Sequence, residues 1–179
     1  MRSKKVSNRY ARALCQACLD KGNLDKIYPD LKALKGLIDH SDHFQKFLNN
    51  PAIPSKTRQT ILEEIFEGKI DAFILRFILF LERKKRISFL KDVLETFEEF
   101  YLKEKNTLKV TFITPWELLK EELQSVRKTL ESKFNKSILI NEKIDPSILG
   151  GFKICIHDTI LDYTMASQLQ KFKHNVMLS

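Results

Sequence analysis

Two short patterns in the N-terminal half contain residues that commonly bind metals or carry out redox chemistry. Cys15 and Cys18 have the Cys-x-x-Cys spacing of zinc sites and thiol redox centres. The chain has one further cysteine, so no second pair completes a tetrahedral zinc site. His40 and His43, each beside an aspartate, are the other candidates for a metal site. Because the cysteines lie within a helical pattern, we predict that they are buried small residues. The histidines lie at a helix break, so we predict that they are ordinary loop residues.

A second candidate region combines paired glycines with three aspartates. Gly150-Gly151 does not match a phosphate-binding loop, because neither a further glycine nor Lys-Ser/Thr follows at the required spacing. The pair predicts instead a turn into a strand, with a positive φ at Gly150. Asp145 and Asp162 precede helix-compatible segments and Asp158 falls in an expected hairpin turn, so we predict that they cap and form turns. We therefore predict no catalytic residues, no metal site and no cofactor.

Composition and charge are those of a globular protein with a basic N-terminal part. The 179 residues are 43% hydrophobic and 30% charged, and the net charge is +8. Residues 1–105 hold 21 Lys/Arg and 15 Asp/Glu, whereas residues 106–179 hold 10 and 8. No apolar run approaches the roughly 18–20 residues of a membrane span, and the three cysteines suit a reducing cytoplasm. The basic excess favours acidic partners.

Residues 1–105 predict six helices separated by short breaks, which is the pattern of a compact helical bundle. Pro29 lies within the second helical pattern and either kinks that helix or delays its start. Ser41 is expected to cap the third helix, and Gly68 to end the fourth. The fifth helix, from about residue 70 to 82, is apolar on nearly all sides. Such a helix is either buried on every side or has one face that binds a partner.

The pattern changes to mixed strands and helices near residue 105. A strand-like run at 108–113 precedes Thr114-Pro-Trp-Glu117, which predicts a helix start with Thr114 as N-cap. Later segments predict strands at 137–140, 152–156 and 160–161, and a final helix containing Met165, Leu169, Phe172 and Val176. We therefore predict an all-α six-helix bundle at 1–105 and a small α/β domain, a short β-sheet with flanking helices, at 106–179.

Several of these segments together resemble a known family. They are Tyr10-Ala-Arg-Ala-Leu14, Asn50-Pro-Ala-Ile53, Arg86, Val110-Thr111, Pro115, and Ile144-Asp145-Pro146-Ser-Ile-Leu-Gly150-Gly151 followed by Ile154, Ile156, Asp158, Ile160 and Asp162. In order and spacing they resemble the delta subunit of bacterial F-type ATP synthases, which is related to the mitochondrial oligomycin-sensitivity-conferring protein. The resemblance extends over essentially the whole chain, and its Gly-Gly signature is the most specific part.

The resemblance implies a non-catalytic stator subunit, present in one copy per complex. Its N-terminal domain would bind N-terminal segments of the alpha subunits on top of the catalytic head. Its C-terminal domain would bind the ends of the peripheral-stalk b subunits, so that proton-driven rotation is coupled to ATP synthesis. The resemblance also implies a location at the cytoplasmic face of the bacterial inner membrane, as a peripheral component reached only through the complex.

In such families the groove for the alpha-subunit helix lies between the first and fifth helices. Small residues on the first helix would allow close approach, and the fifth helix has more apolar surface than an amphipathic helix needs. The groove is therefore expected to include Ala11, Leu14, Cys15, Cys18, Ile74, Phe77, Ile78 and Leu81. Internal core is the alternative for each of these residues.

A different function is suggested by the basic cluster Arg83-Lys-Lys-Arg86. Such clusters can contact phosphates, so a free-standing basic helical protein that binds nucleic acid is the alternative to a stator subunit. Nucleic-acid modules usually combine basic residues with exposed aromatic residues, whereas the aromatic residues near this cluster have core spacing. A cluster at the end of a helix also suits the negative end of the helix dipole. We therefore favour the solvated helix end and predict no nucleic-acid partner.

Overall fold

The computed structural model describes residues 2–156 and 159–177, with side chains for 5–156 and 159–173. The chain forms two compact units, residues 1–101 and 102–179, so the division lies four residues before the boundary expected from the sequence. The first unit confirms the predicted six helices: α1 (Arg2–Asp20), α2 (Leu24–His40), α3 (Asp42–Asn49), α4 (Ser55–Phe66), α5 (Ala72–Arg83) and α6 (Leu90–Glu104). A 3-10 turn at Ile87–Phe89 precedes α6, which itself extends past the division.

Side-chain caps mark the starts of α3 and α5. The Ser41 hydroxyl accepts a hydrogen bond from the Phe44 N–H at 3.2 Å and caps α3, as predicted. Asp71 caps α5 in the same way, through the Phe73 N–H at 2.9 Å. Pro29 lies inside a helix that begins at Leu24, so the delayed start is wrong. Among the described residues, no helix is long and apolar enough to cross a membrane.

The interior of the first unit is apolar except for a few polar side chains, including one ion pair. Arg58 on α4 faces Glu82 on α5, with Nη1 lying 3.1 Å from both carboxylate oxygens. Nη2 of the same arginine donates hydrogen bonds to the carbonyl oxygens of Asn50 and Ile53. The pair thus joins two helices to the turn that precedes α4, and the side chain of Glu82 is 1% exposed.

The second unit is a four-stranded sheet with two helices. Its elements are β1 (Thr107–Thr114), α7 (Lys120–Phe134), β2 (Ser137–Ile144), β3 (Lys153–Ile156), β4 (Thr159–Asp162) and α8 (Met165–Met177). The strand order is β2-β1-β3-β4. β2 is parallel to β1 and is reached through α7, whereas β3 and β4 form an antiparallel hairpin. Alternate residues of β1 are buried, and the second hydrophobic core is built around them.

The predicted helix start at Thr114 is wrong. Thr114 is the last residue of β1 and lies opposite Ile144 in an eight-residue parallel ladder, which holds it in extended backbone. Its hydroxyl donates to the Trp116 carbonyl rather than accepting from a helix N–H. The helix begins at Lys120, where the Glu122 carboxylate accepts from the Leu119 N–H at 2.9 Å. The sheet pairing therefore overrides the local capping pattern.

Candidate partner-binding surfaces

Seven of the eight residues predicted to form the groove lie in the interior of the first unit. The buried residues are Ala11, Leu14, Cys15, Cys18, Ile74, Ile78 and Leu81. Phe77 is the half-buried member of the set and packs against the same core. The structure therefore brings all eight residues into one cluster, in which seven side chains are inaccessible and Phe77 retains exposed surface.

The accessible surface between α1 and α5 is lined by aromatic rings. Tyr10 meets Phe80 edge to face, with ring centroids 6.1 Å apart, and Phe80 is 40% exposed. The Lys21 ammonium lies over the Phe73 ring, 4.4 Å from its centroid, so the two helices run antiparallel. We refer to Tyr10, Phe73, Phe77 and Phe80 as the α1/α5 seam. Tyr10, Phe73 and Phe80 were not predicted as part of the groove, although 73, 77 and 80 have the spacing of one helix face.

The two N-terminal cysteines are buried, as predicted. Burial, followed by the proximity of Cys15, raises the pKa of the Cys18 thiol to about 11. A thiol with that pKa stays protonated at neutral pH, and the thiolate is the form that attacks electrophiles and binds metals. Within the described residues there is no group of three or more His, Cys, Asp and Glu side chains able to hold a metal ion.

The paired glycines form the turn before β3, but the predicted position of the positive φ is wrong. Gly151 has φ +81°, whereas Gly150 is not in the left-handed region. A Cβ atom on Gly151 would lie 2.4 Å from the carbonyl oxygen of Tyr163, so this turn packs directly against the chain leading into α8. The Gly150 carbonyl accepts from the Met165 N–H at 3.0 Å and fixes the same approach.

The signature aspartates support turns rather than chemistry. Asp145 accepts from the N–H and hydroxyl of Ser147, and these bonds hold the pKa of its carboxyl below the usual range. They close a turn at 145–147, which includes Pro146. Asp162 binds the N–H and hydroxyl of Thr164 in the same way, which lowers its pKa as well.

The sequence had suggested Asp162 as the cap of α8, but the residue that caps this helix is Thr164. Its hydroxyl oxygen accepts from the Ser167 N–H at 3.3 Å, while Asp162 holds that hydroxyl in place. The hairpin turn expected at Asp158 lies outside the described residues. These contacts explain the spacing of the C-terminal signature, because its residues join the sheet to α8.

An apolar stripe on α8 is exposed. Met165, Leu169 and Phe172 lie on one face of the helix and are 60%, 69% and 69% exposed. Leu149, in the turn before the glycines, is 91% exposed. Their spacing was visible in the sequence, but a pattern cannot distinguish an apolar face that packs on its own domain from one left open. We refer to Met165, Leu169 and Phe172 as the α8 stripe.

Known protein sequences align with nearly the whole chain. The family model described as ATP synthase delta (OSCP) subunit matches residues 6–176. The ATP synthase subunit delta of Clostridium botulinum strain Loch Maree is 35% identical over 168 residues, which is 94% of each chain. That of strain Eklund 17B is 33% identical over the same share of both chains.

Solved structures with a similar fold come from ATP synthases. A chain of the Toxoplasma gondii mitochondrial ATP synthase hexamer matches with a TM-score of 0.78 and 21% identity, over 96% of this chain and 97% of that one. A chain of the Polytomella F-ATP synthase matches with a TM-score of 0.51 and 21% identity, over 55% and 88%. At this identity the likeness shows the fold. The comparisons give no support to the nucleic-acid-binding alternative.

Proposed function

Because the chain belongs to the ATP synthase delta (OSCP) subunit family, we propose that it is the stator subunit that joins the catalytic head of an F-type ATP synthase to its peripheral stalk. The observation that carries this proposal is the family match, which extends through both compact units. A stator must bind two bodies at once. Each unit of this chain offers one apolar surface for that purpose, the α1/α5 seam in the first and the α8 stripe in the second.

The protein acts mechanically and performs no chemical step of its own. Rotation of the rotor exerts torque on the catalytic head, and the head delivers useful work only if it is held still. Two interfaces in series, one to the head and one to the stalk, resist that torque. The protein is a peripheral component at the cytoplasmic face of the bacterial inner membrane, one copy per complex, and it reaches the membrane only through its partners.

The partner of the α1/α5 seam is the N-terminal segment of an alpha subunit, bound as an amphipathic helix. Tyr10, Phe73 and Phe77 suit this role because they pack on the core and keep exposed surface, and the exposed Phe80 ring contacts Tyr10. The seven buried residues of the cluster form the floor that sets the spacing of the two helices: Ala11, Leu14, Cys15, Cys18, Ile74, Ile78 and Leu81. An apolar helix face laid along the seam would bury the exposed parts of the rings.

Replacing Phe77 with alanine is expected to weaken binding of an alpha N-terminal peptide by about 2 kcal/mol, or roughly 30-fold in Kd. The ring is the one member of the predicted groove with exposed surface, so it is the anchor that a partner can reach. Titration calorimetry on the full chain measures the change. Phe47→Ala is the matched control, because this ring is also half-buried but lies on α3. Equal affinities for the two folded variants would contradict this assignment.

The partner of the α8 stripe is the C-terminal end of a b subunit. Met165, Leu169 and Phe172 project from a helix whose first turn is fixed to the Gly150-Gly151 turn. A surface fixed in this way loses little conformational freedom on binding. The stripe extends over about two turns of α8, and its exposed side chains can pack against one stalk helix.

The double variant Leu169→Ala/Phe172→Ala is expected to weaken binding of a peptide from the C-terminal end of the b subunit by at least about tenfold. Because both side chains are 69% exposed, their removal should leave the unfolding midpoint nearly unchanged. Gln170→Ala, on another face of α8, serves as the control. Pull-down with the b peptide and thermal unfolding, measured on the same samples, separate the two effects. Undiminished capture by the folded double variant would exclude the stripe as the stalk contact.

A further inference from the structure

The basic charge of the N-terminal part is concentrated on the two helices that form the seam. Residues 5–19 and 72–86 together hold eight Lys/Arg and one carboxylate. The remaining residues of 1–105 hold 13 Lys/Arg and 14 Asp/Glu, so they are close to neutral. The one carboxylate within these two ranges is that of Glu82, which is buried against Arg58, and Asp20 at the end of α1 lies just outside them. The outer surface of the seam helices is therefore cationic.

The cations are grouped at one end of the α1/α5 seam. Arg86 donates to the Tyr10 hydroxyl at 3.2 Å, and its guanidinium carbon lies 5.5 Å from the centre of that ring. The Lys84 ammonium lies 5.8 Å from the centre of the Phe80 ring. Arg83 and Lys85 are exposed beside them. In the described part of the chain, no carboxylate forms an ion pair with Arg83, Lys84 or Lys85.

The opposite end of the seam has balanced charge. Lys21 lies over Phe73, but Asp71 accepts from the N–H of the same phenylalanine and forms an ion pair with Lys26 at 3.3 Å. Asp20, the last residue of α1, adds a second carboxylate at this end. The seam is thus polarised along its length, from a strongly basic end at the C-terminus of α5 to a mixed end at its N-terminus.

We infer that the helix bound in the seam carries acidic residues clustered at one end, and that this end lies beside Arg83, Lys84 and Lys85. The inference rests on the proposed function, and it adds the charge of the partner segment and the direction in which it lies. Opposite charges placed together at an interface rim fix register and raise the association rate. A helix inserted in reverse would leave its carboxylates at the mixed end and the cations unpaired.

An anionic membrane or a nucleic acid would also be attracted to this cluster. The structure favours a helix because the cations flank Tyr10, which packs against the core, and Phe80, which contacts Tyr10 edge to face between the two helices. Nucleic-acid surfaces that use stacking present rings whose faces are free for bases. Here the ring faces of Tyr10 and Phe80 have cations near them, and the two rings contact each other.

The test compares two triple variants of the full chain with the same change in charge. Arg83→Gln/Lys84→Gln/Lys85→Gln neutralises the basic end of the seam, and Lys120→Gln/Arg127→Gln/Lys128→Gln neutralises exposed residues of α7. The probe is a synthetic peptide of the alpha-subunit N-terminal segment from the same organism. We expect the first variant to bind it about tenfold more weakly at low ionic strength, with a slower association rate, and the difference to shrink at about 0.5 M NaCl. The α7 variant should match the wild type.

Exchanging the charges gives the decisive measurement. A peptide whose acidic end is changed to lysine should bind the wild type poorly and regain affinity for Arg83→Glu/Lys84→Glu/Lys85→Glu. Acidic substitution at the other end of the peptide should give no such recovery. If Phe77→Ala weakens peptide binding but neither triple variant at 83–85 does, the inference fails and the proposed function stands. If no variant affects the peptide, the proposed site fails as well. If Arg83→Gln/Lys84→Gln/Lys85→Gln loses binding to phosphatidylglycerol vesicles or to RNA while its peptide binding is unchanged, the inference is overturned in favour of those ligands.

Discussion

Replacing Arg58 with methionine is expected to lower the free energy of unfolding of the first unit by about 3–5 kcal/mol, because the change leaves a buried carboxylate without its partner. Glu82 is 1% exposed, and each of its carboxylate oxygens accepts from Arg58 Nη1. The same substitution removes the donor to the carbonyl oxygens of Asn50 and Ile53. Urea unfolding followed by far-UV circular dichroism, which is dominated by the helices of this unit, measures the loss.

The double variant Arg58→Met/Glu82→Leu provides the control. Replacement of both partners by apolar residues of similar size removes the stranded charge, so most of the lost stability should return. The Arg58 Nε has no hydrogen-bond partner in the described part of the protein, and this unmet donor makes the pair a weak source of net stability. A single variant that loses less than about 1 kcal/mol would show that water or local rearrangement satisfies Glu82.

This ion pair also shows what a helical pattern predicts and what it does not. Arg58 shares the buried stripe of α4 with Leu62 and Phe66, and Glu82 follows Ile78 by one turn of α5. The signal for this ion pair in the sequence was one charged residue on the apolar stripe of each helix. The sequence does not say that the two helices are neighbours at these positions, since that depends on tertiary packing.

The predicted groove illustrates a related limit. The family resemblance indicated the first and fifth helices, and the residue pattern gave their apolar and small residues; all eight residues chosen in this way lie in one core cluster. The residue pattern did not distinguish the buried residues of the cluster from the accessible ones, because Phe77 and its neighbour Ile78 are both apolar. The accessible residues are identified by the antiparallel pairing of α1 and α5, which places Tyr10 against Phe80.

In the second unit, the strands and final helix were predicted, although β2 extends four residues beyond the predicted end at Ile140, and the connections were not. The Thr114-Pro-Trp-Glu117 pattern satisfied the local rules for a helix start, yet the ladder between β1 and β2 continues through Thr114. Similarly, the glycine pair predicted a left-handed turn, but local chemistry alone did not say which glycine adopts it. Long-range pairing with Tyr163 and Met165 places it at Gly151.

Gly151→Ala is expected to destabilise the second unit by about 2–5 kcal/mol, because two penalties combine. A left-handed backbone costs a residue with a Cβ about 1–2 kcal/mol, and Gly151 has φ +81°. Overpacking costs about 1–3 kcal/mol more, since the added Cβ would lie 2.4 Å from the Tyr163 carbonyl oxygen and 2.9 Å from the Thr164 Cα. Both atoms belong to the backbone that leads into α8, so neither can move without shifting that helix.

Gly150→Ala is the matched control one residue earlier. Its Cβ would meet the Met165 sulfur at 2.7 Å, but that atom ends a flexible, exposed side chain that can rotate away. Trp116 is the single tryptophan and lies in the second unit, so its fluorescence follows that unit during urea unfolding of the full chain. Gly151→Ala should shift this transition to lower urea and weaken capture of the b-subunit peptide, because the α8 stripe depends on the position of the helix. Equal transitions for the two alanine variants would contradict the account of the turn.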